Sequence, residues 1–293
     1  MLGPLPDTAP AFFADIAGLK RVRSARAHGQ SLADGAFLTA WSRLAGGEDP
    51  ESVAGGVVAF AAAHTVLGAV DGPTLSDAGV GDADRQMIYR EAAGRSLGSL
   101  ARYLEAPIQA LAASEPFLTD APPFAQLLTD QPCLSEDHGD PPPSLAAHSW
   151  CVAAIAGTIE LARNAPLAPA VMVALVHHAG NAFVPDGGPG ATRLLTAHVG
   201  ALGERMTERA LSQCPPQIAS MGRDGLEGLS DLSTTASTAF HAAHIIERTA
   251  DRRHAANRAG FSLSDAFTPH DLVDDGPLAA FQREVLHQLG LGF

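Results

Sequence analysis

The chain has 293 residues, 46% hydrophobic and 17% charged, with a net charge of −13. That is enough apolar material for a real core, over a length that suits one large or two modest domains. The acidic balance argues against coating DNA or RNA and against an anionic membrane surface, since both call for basic protein surfaces.

Apolar residues recur at three- and four-residue steps along most of the chain, and alternating strand-like runs bounded by hairpin turns are missing. The pattern predicts an all-α protein. A first helical region, 1–130, is expected to carry helices over 12–28, 31–46, 51–69, 83–113 and 122–130, separated by Gly, Pro and Asp. The basic run LKRVRSAR at 19–26 reads as a solvated helix face, with a grip on phosphate or an acidic partner as the other reading. Residues 131–143, QPCLSEDHGDPPP, are polar and end in three prolines, which predicts a linker or surface loop. A second helical domain is expected over 144–293. Ser144 is a candidate N-cap for a helix to about residue 164, and Pro169 sits in the first turn of a helix over 168–183. The run AVMVALV in that helix predicts burial on every side. Further helices are expected over 191–212 and 234–259. A last one follows Asp274 to Pro277, with Leu278, Phe281, Val285 and Leu289 on one stripe.

Cys133, Cys151 and Cys214 are odd in number and widely spaced, so neither a disulfide framework nor a thiolate zinc site is expected. A reducing, cytoplasmic location fits that usage, and no signal peptide or membrane span is expected. Lys20 is the sole lysine, which excludes a phosphate loop of the Gly-Lys-Ser/Thr kind. Gly94-Arg95-Ser96-Leu97-Gly98 matches G-x-S-x-G but follows a helical pattern where the nucleophile elbow needs a strand.

The histidines carry the functional signal. His148 falls in AAHSWCVAAIA, the adjacent pair His177 and His178 near the end of the buried helix, and His241 and His244 three apart on a later helix. Imidazoles in apolar helices are costly unless their nitrogens find partners, so their clustering suggests a shared polar cavity able to hold a metal ion. Taken singly, each histidine is more simply a core residue bonded to a carbonyl. Adjacent helical positions point about 100° apart, so both members of the pair reach one ion only at a helix end. His198 reads as a helix-surface residue, with a place in the cavity as its other reading, and His254, His270 and His287 read as exposed. Asp251 reads as a surface ion pair, and Arg248 is suited to phosphate.

At these residues the chain resembles the HD-domain superfamily of helical metal-dependent phosphohydrolases, and within it the nucleoside 5'-monophosphatase branch. The likeness covers roughly 140–260. The His-Ser opening of the first motif is matched at His148 in AAHSW, and the His-Asp pair by His177 and His178. Asn181 stands where the branch has a catalytic Glu, Asp186 matches a later Asp, and Ala242, Ala243 and His244 match a late Ala-Ala-Asp. The resemblance implies an HD-like core and an ion held by His148, His177, His178 and His244, with Asn181 and Asp186 positioning substrate or water. It also implies hydrolysis of a small phosphorylated metabolite or nucleotide. Imidazoles at two carboxylate positions remove two negative charges and the bridge of a two-metal site. The donor set therefore favours one divalent transition metal among Fe, Zn, Mn, Co and Ni. Asp186 or Asp251 would be the replacement carboxylates. The other readings are a non-catalytic HD-like module that binds a ligand or protein, and an HD-type iron oxygenase; a homo-oligomer stays open.

Overall fold

A computed structural model describes residues 2–24, 26, 29–113, 117–133, 142–184, 198–268, 272–274 and 276–291. The protein is all-α, and the described residues contain no strand, only two isolated bridges. In chain order the helices are α1 (Ala9–Gly18), α2 (Leu32–Ala45), α3 (Pro50–Leu67), α4 (Gly72–Asp77), α5 (Asp82–Leu97), α6 (Glu105–Ala113), α7 (Pro123–Asp130) and α8 (Leu145–Arg163). They continue as α9 (Ala168–Val176), α10 (Val199–Leu211), α11 (Pro216–Glu227), α12 (Thr235–Arg258), α13 (Leu263–Ala266) and α14 (Leu278–Gln288).

Side-chain caps start several of these helices. Ser31 and Asp34 form a capping box on α2, and the Ser144 hydroxyl accepts the Ala147 N–H at the start of α8. Ser144 also donates to Asp34, which ties the start of α8 to α2. The far end of α8 stops at Asn164 in the left-handed conformation (φ 55°), a position asparagine tolerates better than most residues. α9 lacks a local cap. Glu51 of α3 supplies one, its carboxylate accepting the N–H groups of Leu167 and Ala168 at 2.9 Å each.

α8 is the axis of the molecule, buried from Leu145 to Ala162. It packs against α9, α12, α2 and α3, joining the two halves of the sequence in one apolar core that runs from Leu2 to Leu291. Its sequence explains the close packing. Alanines keep it narrow, and a Cβ on Gly157 would stand 2.6 Å from Val58 Cγ2 and 3.0 Å from Val171 Cγ2. Trp150, Ile155 and Ile159 are fully buried, each contributing about 1.5–3 kcal/mol of hydrophobic stabilisation. α3 and α8 are long and apolar enough to cross a membrane, but the apolar window of α8 is wholly inside the protein and that of α3 is 67% buried.

Three helix boundaries differ from expectation. The helix predicted over 12–28 stops at Gly18, continues as a 3₁₀ turn over Leu19–Arg21 and becomes extended at Val22. The basic run is therefore not a solvated helix face, and Lys20 is buried. The helix predicted over 83–113 is broken at Gly98 (φ +56°), where a 3₁₀ stretch leads into α6. The helix predicted over 168–183 ends at Val176, with a 3₁₀ turn over Ala179–Ala182. Most of the 131–143 segment lies outside the described residues, but its two ends are pinned together: Cys133 N–H donates to Pro143 O and Leu145 N–H to Gln131 O.

Candidate metal centre

The early end of α9 makes the site. His177 is its last, cap position, and His178 follows with a non-helical backbone. The 100° divergence of neighbouring helical residues is relieved there, and the two rings stand 4.1 Å apart, centre to centre. The turn is pressed against α10, since a Cβ on Gly180 would meet the Thr207 hydroxyl at 2.8 Å and the Thr207 backbone nitrogen at 3.1 Å. Only glycine allows that approach.

His148 comes from the first turn of α8, and its ring centre lies 5.4 Å from that of His177 and 5.3 Å from that of His178. One nitrogen from each of the three lies within 4.8 Å of the other two. His244 of α12 borders this set, its ring 5.3 Å from that of His148 and 5.9 Å from that of His177. Phe240 packs edge-on to His177. The Asn181 side chain hydrogen-bonds to His178. Asp186 lies outside the described residues. His241 turns away to the Leu229 carbonyl, His198 is exposed and so matches its surface reading, His287 is exposed as expected, and His270 lies outside the described residues. His254, expected to be exposed, is half-buried and lines the same cavity as His148.

Hydrogen-bond partners fix the tautomers. His177 Nδ1 lies 2.6 Å from the Ala174 carbonyl and must donate to it. His148 Nδ1 lies 2.9 Å from a carboxylate oxygen of Glu247 and donates there. The Nε2 atoms of the two rings face each other at 3.4 Å. With both rings neutral, two lone pairs so placed repel unless a cation lies between them. Burial and the neighbouring imidazoles hold His177 well below its ordinary pKa and push His178 down to about 3 and His244 to about 4, so the three favour the neutral form that a metal requires.

Two members of the site were not singled out as such from sequence. Glu247 is buried and lies three residues after His244, on the same helix face, a spacing that could have flagged it. Lys20, the sole lysine, ion-pairs with both Glu247 and Asp251, and Arg21 pairs with Asp251 at 2.9 Å. Asp251 thus reaches across to the first region rather than pairing along its own helix. Burial works against the charge on Glu247, but the attraction of His148 and Lys20 outweighs it and holds the carboxyl well below the usual range. The same pairing keeps Lys20 charged despite burial. Lys20 therefore anchors Glu247, and Glu247 anchors His148.

His148, His178, His244 and Asn181 open onto a cavity of about 870 Å³, within the range of small-molecule sites. Comparison with protein-family models, with curated proteins and with solved structures returns no match.

Proposed function

We propose that the protein is a metal-dependent hydrolase on an HD-like helical core, with one divalent transition metal held by His148, His177 and His178 and a small phosphorylated molecule as substrate. The observation that carries the reading is the 3.4 Å approach of the His148 and His177 Nε2 atoms, the Nδ1 of each ring being set against an oxygen acceptor. Two donors on one tetrahedral ion at about 2.0–2.1 Å stand about 3.3–3.4 Å apart. The Glu247 carboxylate behind His148 supports it further, because metal-ligating histidines commonly donate their second nitrogen to such a partner. Three protein ligands rather than four match the pattern of catalytic sites.

When bound, such an ion supplies Lewis acidity toward a phosphoryl oxygen and lowers the pKa of water. The chain's own residues do the rest. Glu247 and the Ala174 carbonyl lock the His148 and His177 rings in place. Asn181, bonded to His178 at the cavity wall, orients substrate or water but does not carry a proton at neutral pH. Arg248 is held by Asp274 at 2.7 Å and by the Leu272 carbonyl at 2.7 Å, which fixes a cation beside the imidazoles.

The test is hydrolysis of a panel of phosphomonoesters, nucleoside monophosphates included, by the full chain supplied in turn with Mn²⁺, Fe²⁺, Co²⁺, Ni²⁺ and Zn²⁺. Metal-dependent turnover that drops about 100-fold or more in His177→Ala is expected. Absence of hydrolysis with every metal contradicts the enzymatic reading and leaves a ligand-binding module.

A further inference from the structure

The imidazoles around the cavity are not equivalent. His177 is bonded to the Ala174 carbonyl, His148 to Glu247 and His178 to Asn181. His241, on the same helix as His244, is bonded to the Leu229 carbonyl. His244 differs from all of them. It stands against the rings of His148, His177 and Phe240, and among the described residues no hydrogen bond holds it. The ring is half-buried and lines the cavity together with His148 and His178. Neither of its nitrogens is among the polar atoms sealed from solvent without a partner, so both reach the cavity.

His244 also stands outside the set that can share an ion. Nitrogens bound to one ion at 2.0–2.1 Å lie at most about 4.2 Å apart. Among the described residues, the nitrogens that gather within 4.8 Å of one another are those of His148, His177 and His178. The His244 ring meets those of His148 and His177 edge-on, at 89° and 86°. The cations close by are committed to carboxylates: Lys20 to Glu247 and Asp251, Arg21 to Asp251, and Arg248 to Asp274. A substrate at this end of the cavity is therefore met by hydrogen-bonding groups rather than by a spare charge. A neutral imidazole offers one N–H to donate and one lone pair to accept.

We propose that His244 is a substrate contact beside the ion and not a fourth ligand: its ring N–H donates to an oxygen of the phosphoryl group that the metal site receives, and so orients that group. The proposal rests on the metal-site reading, since it needs an ion held by the other three imidazoles. It assigns α12 a part distinct from those of α8 and α9, which carry the ligands. Through His244 this helix touches the substrate, and through Glu247 it holds a ligand in place.

The experiment loads the full chain with Co²⁺, whose visible absorption reports its donor set, and titrates it with inorganic phosphate. The parent is compared with His244→Phe, which keeps a ring where Phe240 already adjoins, and with His244→Gln, which keeps an N–H donor. Circular dichroism checks that each variant is folded, and His244→Ala replaces the phenylalanine variant if that one is not. Both variants should bind Co²⁺ with the parent's affinity and spectrum. His244→Phe should bind phosphate at least about tenfold more weakly, a difference of about 1.4 kcal/mol, and His244→Gln should recover much of the loss. A weaker Co²⁺ affinity and an altered spectrum in both variants make His244 a ligand and overturn the proposal. Phosphate affinity equal to the parent's in His244→Phe overturns it, as does an equal loss in both variants, which assigns the effect to ring packing. A parent Co²⁺ spectrum that phosphate leaves unchanged overturns it while the metal site stands. A parent chain that takes up no Co²⁺ overturns the metal-site reading and this proposal with it.

Discussion

The smallest unit that decides the chemistry is the chain of contacts from Lys20 to Glu247 to His148. Each member answers a problem set by the previous one. A buried carboxylate needs a counter-charge, and a buried lysine needs two carboxylates or their equivalent in hydrogen bonds. Replacing Lys20 by Met leaves Glu247 and Asp251 short of their shared cation. The loss of stability should be about 3–5 kcal/mol, read as a lower urea midpoint, and an unchanged midpoint would show that the pair is not structurally required. Glu247→Gln keeps the shape and removes the charge behind His148. Metal affinity, measured by competition with a chelator, should fall about 10–100-fold, as it does for carboxylates that orient ligating histidines. The histidines were legible from sequence because each sits in an apolar helical context where a polar ring is out of place. Lys20 and Glu247 were not assigned to the site, because their partnership spans 227 residues of sequence and no local pattern encodes it.

At the level of the helix, placement of the His177–His178 pair depends on where α9 begins and ends. Its start is capped from a distance by Glu51, and its packing against α8 depends on Gly157. Gly157→Val would drive methyl groups into Val58 and Val171, both β-branched and unable to swing aside. A cost of about 1–3 kcal/mol in chemical denaturation is expected, and a variant as stable as the parent would mean that α3 and α9 shift freely around α8. Helix identity was readable from the three- and four-residue steps of apolar residues and from caps such as Ser31 and Ser144. The breaks inside the segments predicted over 12–28 and 83–113 were not. Both fall at glycines, Gly18 and Gly98, and neither residue announces by itself whether it interrupts a helix or merely sits in one. The break after Gly18 has a functional consequence, since the 3₁₀ turn that follows carries Lys20 toward α12.

Across the whole molecule, one apolar core spans both halves of the sequence, so the first region is part of the site's support and not a separate attachment. The expected division at 131–143 followed from composition, which records a change in polarity but not the contacts of α8 with α2 and α3. Acid sensitivity is a property at this scale. Burial lowers the pKa of His64 as well as those of His177, His178 and His244, all below the ordinary value of 6.5. A base whose folded value is depressed binds more protons unfolded than folded, so stability is present above pH 6.5 and is lost as pH falls through it. Glu247, with its carboxyl held low, adds a further loss below about 4.5. In chelator, the thermal midpoint should therefore drop steadily between pH 7.5 and 5, and a flat profile over that interval would show that the imidazoles are not buried neutral. The central claim is that three imidazoles from two helices meet on one ion. Elemental analysis of the full chain, purified without added chelator, tests it most directly. One transition-metal ion per chain, lost in both His148→Ala and His177→Ala while each variant keeps its helical circular dichroism, is the predicted result. A folded protein that takes up no metal even when supplied with it, its two facing rings held by a shared proton instead, would contradict it.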